Sequence, residues 1–349
     1  MRRTAFILIS AMPVKGCTQA IFILLLFTTS LFSYEIHRFE PGVDITSSQI
    51  TDIECDKTRN TIWVSTGDPL AGAGFGLNRY MDGEWTRYTD YFASHLLFEF
   101  MNEMEIDKNG GVWVACAPIP ANRGGILYFD GQNHWESIDT SWGLPWNPVT
   151  NVWMAHDDIW FYGFGFMKGI VNSESWTIKY DTLGLFSSAY SRLWSVAVLD
   201  SSSLFVFMNS EIRIVSEDSF YVFPFDGDIK RPLQAGLGRV WWKEDSTIFC
   251  FEDDSICAFA IPNAYFEGDQ MDADEENTFW YGYGSSLLAA YNTITGGYTE
   301  YYLSEPTAMK RVIVDALGNK WFDGYDGIYV FNEDAIVWSV DESEQTKPV

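Results

Sequence analysis

Positive charge and histidine are both scarce in this 349-residue chain, and each scarcity removes a class of function. Only 22 lysines and arginines stand against 48 aspartates and glutamates, a formal net charge of −26. Such a surface repels phosphate backbones, so nucleic acid is excluded as a partner, and anionic lipid is disfavoured for the same reason. The four histidines, His37, His95, His134 and His156, lie in different parts of the chain and in no recognisable motif. Nucleophilic catalysis needs a nucleophile, a base and an orienting group. No Gly-x-Ser-x-Gly elbow is present to supply the first. Cysteine is equally sparse, with 5 residues and no Cys/His set at zinc spacing. The glycines of Gly72–Gly76 are too few for a dinucleotide fingerprint, so they read as loop glycines. With 48 acidic residues, spacing in sequence cannot select a carboxylate pair for glycoside hydrolysis. No catalytic set and no cofactor are therefore expected.

Aromatic side chains are abundant: 15 Trp, 18 Tyr and 26 Phe in a chain that is 47% hydrophobic. That composition supports a buried core and favours strands over helices. The one long apolar stretch is N-terminal. Arg2 and Arg3 precede an apolar core at Ala20–Phe27 and small or polar residues up to Ser33. Residues 1–33 read as a signal peptide or an N-terminal anchor, and no transmembrane span is expected beyond that segment. The expected location is periplasmic, cell-surface or secreted. Residues 34–341 then form a single domain, with 342–349 as a polar, disordered tail. Export permits disulfides. Phe249–Cys257 reads as a hairpin turning at Asp253-Asp254, which sets Cys250 opposite Cys257, as a bridge or as two thiols.

The domain is a degenerate repeat. Ile50–Asp56, Asn60–Thr66, Gly76–Tyr80 and Glu84–Tyr88 recur in order as Met101–Asp107, Gly110–Ala115, Gly125–Phe129 and His134–Ile138. They recur again as Arg311–Asp315, Gly318–Phe322, Gly327–Phe331 and Ile336–Val340. Each unit is an alternating strand ending in Asp, a turn, a strand bearing a large aromatic, a Gly-led strand and a short aromatic strand. The anchors are Trp63, Trp113, Trp160, Phe205, Trp241, Trp280 and Trp321. Four short period-2 strands make a sheet with two faces to bury, and stacking such sheets around an axis buries both. The expected fold is all-β: a seven-bladed β-propeller of four-stranded antiparallel blades, with six or eight blades left open by the weak middle repeats. The aspartate closing each first strand is read as a turn residue that accepts backbone N–H bonds. Glu35–Phe39 resembles a fourth strand lying before the first repeat, so two segments compete to close the ring. Tyr91–Glu103 is the one stretch that could hold a short helical turn.

The run Ile53-x-x-Asp56, Ile62–Thr66, Gly76-Leu77-x-Arg79-Tyr80 and Trp85-x-x-Tyr88 resembles the two-component regulator propeller repeat. The resemblance covers nearly all of residues 34–341. It implies a seven-bladed propeller of the kind found as the periplasmic sensor of hybrid signalling kinases, where two propellers precede a membrane span. This chain carries the repeats of one propeller and no kinase.

Propellers bind ligands at the end of the channel where fourth-to-first and second-to-third connections gather. In those connections the sequence places Asp68, Arg123, Trp142, Trp146, Phe164, Phe166, Lys230 and Arg231 as ligand-binding candidates. Exposed aromatics beside polar groups suit sugar rings or peptides. Trp142 and Trp146 have a second reading, as plugs packed against the blade. Asp272, Asp274 and Asn277 have the alternating oxygens of a weak calcium site and also coincide with an ordinary acidic turn. The expected function is an exported, noncatalytic ligand-binding or sensory module whose partner is an oligosaccharide, a peptide or an envelope protein. The alternatives are a carbohydrate-active hydrolase or lyase, and a structural part of an envelope or secretion assembly.

Overall fold

The computed structural model describes residues 36–67, 76–89, 101–117, 124–144, 148–163, 167–172, 177–179, 193–208, 211–216, 219–225, 233–234, 239–244, 246–261, 271–274, 277–283, 287–303, 309–324 and 326–332. Seven four-stranded antiparallel sheets form a ring, a seven-bladed β-propeller. The first strand among the described residues is β1 (His37–Phe39). Blade 1 is β2 (Ile50–Asp56), β3 (Thr61–Thr66), β4 (Gly76–Met81) and β5 (Glu84–Tyr88). Blade 2 is β6 (Met101–Ile106), β7 (Val112–Cys116), β8 (Gly125–Phe129) and β9 (Trp135–Ile138). Blade 3 is β10 (Val149–Ala155), β11 (Asp158–Gly163), β12 (Met167–Asn172) and β13 (Ile178–Lys179). Blade 4 is β14 (Leu193–Val198), β15 (Ser203–Met208), β16 (Glu211–Ser216) and β17 (Ser219–Pro224). Blade 5 is β18 (Leu233–Gln234), β19 (Arg239–Glu244), β20 (Thr247–Glu252) and β21 (Ser255–Ala260). Blade 6 is β22 (Asp272–Ala273), β23 (Thr278–Tyr283), β24 (Leu287–Asn292) and β25 (Tyr298–Tyr302). Blade 7 is β26 (Val312–Val314), β27 (Lys320–Asp323) and β28 (Ile328–Phe331), completed by β1. The first strands form the inner ring: β2 touches β6 and β26, and β10 touches β6 and β14.

The turns follow from their residues. Asp82 and Gly83 both take positive φ between β4 and β5, as do Asp253 and Asp254 between β20 and β21. Two such residues in a row make the mirror-image turn whose twist matches a two-residue hairpin. At the turns from first to second strand, Asp107 Oδ1 accepts from the amides of Asn109 and Gly111, and Asp315 Oδ1 from those of Leu317 and Asn319. Asp56 likewise accepts from the Thr58 and Arg59 amides. The closing aspartates are turn clamps, as their position in the repeat implies.

The aromatic anchors hold blade to blade. All seven lie on second strands and are at most 3% exposed. Each belongs to the apolar cluster of the following blade. Trp63 packs with Met104, Val112 and Phe129; Trp113 with Val152 and Phe161; Trp160 with Val196 and Val206. Phe205 meets Trp242 and Phe251, Trp241 meets Phe279 and Tyr281, and Trp280 meets Phe322 and Phe331. Trp321 closes the circle against Ile53, Ile62 and Tyr80 of blade 1. Truncating a buried tryptophan to alanine costs about 3–5 kcal/mol, so each anchor matters on the scale of a domain's whole stability.

Ring closure is settled by β1, which pairs antiparallel with β28 through His37↔Val330 and Phe39↔Ile328. The first described strand is therefore the outermost strand of the last blade, and hydrogen bonds join the first described strand to the last. The competing segment Ile336–Val340 lies outside the described residues. Of the ambiguous Tyr91–Glu103 stretch, Met101–Glu103 belongs to β6 and the rest lies outside the described residues.

Candidate functional site

The strand order puts first-to-second and third-to-fourth turns at one end of the ring, and second-to-third and fourth-to-first connections at the other. The second end, the mouth, carries a recurrent irregularity. The pairing of first and second strands slips between Ile50 and Asp52, Met101 and Met104, Val149 and Asn151, and Leu193 and Ser195. Four consecutive blades thus have a bulge at the same place, where the innermost strand leaves the mouth. Bulges re-aim side chains and are over-represented beside functional sites.

In blades 1–3 the bulged residues are polar and half-buried, and those of neighbouring blades 2 and 3 are joined by a hydrogen bond. Thr51 Oγ1 lies 2.8 Å from Ser65 Oγ. Asn102 Nδ2 donates to the Thr150 carbonyl, and the Thr150 hydroxyl lies in donor reach of Asn151 Oδ1 at 2.8 Å and of the Tyr162 carbonyl at 3.1 Å. Between blades 7 and 1, Arg311 donates through Nη1 to Asp323 Oδ2 at 2.9 Å and reaches Asp52 Oδ1 from Nε at 3.6 Å. Burial pushes the Asp323 carboxyl above the usual carboxylate range, opposed by Arg311 and by the amides of Lys310 and Arg311. Asp52 is fully buried and also accepts the Met104 amide of the next blade at 2.7 Å. Hydroxyls, amides and paired carboxylates therefore line this end from blade 7 to blade 3.

Trp142 stands at the same end, on the connection from blade 2 to blade 3. A short 3-10 turn, Thr140–Trp142, is capped by Asp139, whose Oδ1 accepts from the amide and hydroxyl of Ser141. Gly143 follows with φ +104°, and Leu144 inserts into the cluster between the two blades. Leu144 is the plug in this connection, and Trp142 stays 44% exposed. The other ligand-binding candidates, Asp68, Arg123, Trp146, Phe164, Phe166, Lys230 and Arg231, lie outside the described residues.

The calcium candidates are described, and the carboxylates of Asp272 and Asp274 have other partners. Asp272 is buried on β22, accepts the amides of Ala273 and of Val314 in the next blade, and pairs with Lys57 at 3.3 Å. Asp274 accepts the Thr278 amide and the Trp280 indole, while Asn277 occupies the turn with φ +61°. Among the described residues no group of three or more His, Cys, Asp or Glu could hold a metal ion. Cys250 and Cys257 face each other across β20 and β21 as free thiols. The described histidines sit away from the mouth. His37 is on the outermost strand of blade 7, His134 is exposed in the turn before β9, and His156 turns between β10 and β11 with Nε2 against the Asp200 carbonyl.

Two features escaped sequence reasoning. One is the indole bond from Trp113, Trp280 and Trp321 to the turn aspartate six residues earlier. The constant spacing was its available signal. The other is the buried Asp52 and Asp272, each reaching the next blade, which leave no periodic trace.

No protein-family model and no curated protein matches the chain. Solved structures do match. A streptogramin B lyase is similar over 85% of this chain and 97% of its own, with a TM-score of 0.67 and 14% identity. The extracellular domain of a B. thetaiotaomicron protein described as a hybrid two-component system is similar over 86% of this chain and 41% of its own, with a TM-score of 0.63 and 17% identity. PorZ, a surface component of the type-IX secretion system of Porphyromonas gingivalis, is similar over 84% of this chain and 37% of its own, with a TM-score of 0.56 and 10% identity. The chain spans about two-fifths of the latter two. At these identities the likeness carries the fold, a propeller shared by a lyase, the extracellular domain of a two-component system protein and a surface component.

Proposed function

We propose that this chain is an exported, noncatalytic propeller that binds a neutral, polar ligand at its mouth, as a sensory or adaptor module. The carrying observation is the run of bulged inner strands, which in blades 1–3 gathers polar side chains at the end where Trp142 stays exposed. An aromatic face beside hydroxyls and amides suits an oligosaccharide first and a peptide second. The sensor ectodomain and the surface component among the structural neighbours support an extracellular or periplasmic setting. Lyase chemistry on this scaffold would need a histidine and an acid near the axis at the mouth. Among the described histidines, His37, His134 and His156 lie on an outer strand or at the opposite end, and His95 lies outside the described residues.

Oligosaccharide and peptide arrays probed with the protein and with Trp142→Ala test this reading. Binding by the parent protein, weakened about fivefold or more in the variant, supports it; stacking on one aromatic is worth roughly 1 kcal/mol. Equal binding by both proteins removes the mouth from the account.

A further inference from the structure

We infer that Cys250 and Cys257 are a redox modification site, closing to a cross-strand disulfide when the chain meets a small-molecule disulfide oxidant. The two residues are direct partners in the β20–β21 ladder. Their register cannot slip, because Asp253 and Asp254, with φ of 49° and 56°, fix a two-residue turn between Glu252 and Ser255. Counting back from that turn, Cys250 and Cys257 form a hydrogen-bonded pair, whose Cα atoms stand about 5.5 Å apart, inside the range that a disulfide spans. Directly opposed residues point to the same side of a sheet, so the sulfurs face one another. Burial, with lesser contributions from Glu252 and Cys257, pushes the Cys250 thiol up to about 12, so Cys257 is the thiol that reacts first.

The two thiols are unequal, and that sets the order of events. Cys257 is exposed on the outer strand, whereas Cys250 is buried against Trp241 and Phe279. The Cys257 thiolate attacks one sulfur of the oxidant, expelling one thiol and leaving a mixed disulfide on Cys257. Cys250 loses its proton and attacks Cys257 Sγ, expelling the second thiol. The protein gives up two protons and two electrons, and the oxidant is reduced to two thiols. The remaining described cysteines lie in other blades. Cys55 is on β2 and Cys116 is fully buried on β7, so both serve as internal controls.

The full chain, folded, is treated with oxidised glutathione, alkylated under denaturing conditions, digested and weighed. The expected product has two alkylatable thiols fewer per chain, with Cys250 and Cys257 in one unlabelled peptide two hydrogens lighter than its reduced form. Cys55 and Cys116 are fully labelled. In Cys250→Ala the expected product keeps glutathione on Cys257. Labelling of both Cys250 and Cys257 after oxidant treatment, a glutathione adduct persisting on Cys257 of the parent chain, or a Cys257 link between two chains would each overturn the inference.

Discussion

A buried indole carries one N–H that must find an acceptor, and the six tryptophan-anchored blades solve this unequally. Trp113, Trp280 and Trp321 donate to Asp107, Asp274 and Asp315 at 3.1, 3.0 and 2.9 Å. The Trp241 indole finds no acceptor in the structure. Trp280→Phe and Trp241→Phe remove similar area, but only the first breaks a bond to a carboxylate. Urea unfolding is expected to show Trp280→Phe costing about 1–3 kcal/mol more than Trp241→Phe. Asp56 supplies a pH signature. Burial raises its carboxyl, but bonds from Thr58 and Arg59 outweigh burial and leave it below the ordinary value. Its folded pKa thus lies below the unfolded value of about 3.9. The stabilisation is present above that value and is lost as pH falls through the folded pKa. Asp56→Asn should therefore lower the melting temperature at neutral pH and lose less than the parent on acidification to pH 3, as scanning calorimetry would show. The turn role of these aspartates was legible because turn chemistry is local. The indole bonds were not read, since they depend on how the second strand folds back over the turn.

Element by element, the third strands explain why a glycine leads the motif. A Cβ on Gly125 would stand 2.2 Å from the Ile138 carbonyl oxygen, at the end of the fourth strand of blade 2. A Cβ on Gly327 would stand 2.4 Å from the Phe39 carbonyl oxygen. Phe39 thus occupies in blade 7 the place that Ile138 holds in blade 2, although it comes from the opposite end of the domain. Gly327→Ala should push β1 off β28, and hydrogen exchange of the His37–Phe39 amides should quicken while the inner strands of blades 3 and 4 keep their protection. Unchanged exchange at β1 would contradict this closure. The strands were legible in every blade whose repeat kept its aromatic and glycine marks. The owner of the seventh outer strand was not, because β1 and Ile336–Val340 carry equivalent local patterns and only ring geometry chooses between them.

At the scale of the whole molecule, seven interfaces of one kind make the ring and its mouth makes it specific. Interfaces built from a repeating aromatic on the second strand can be read from sequence, because the period survives even where the residue becomes Phe205. The mouth follows no period. Its connections differ in length and composition from blade to blade, so the sequence marked candidates such as Trp142 without showing their neighbours. The polar ring of Thr51, Asn102, Thr150 and Asn151 comes from bulges, which arise from pairing and leave no residue signature. The central claim is that this ring, with Trp142, is where the protein binds. Hydrogen exchange of the protein with and without an array-identified ligand tests it most directly. The account predicts new protection at the mouth ends of β2, β6 and β10 and across residues 139–144, with the opposite end unchanged. Protection confined to the turns around His134 and His156, or to the outer strands, would contradict it.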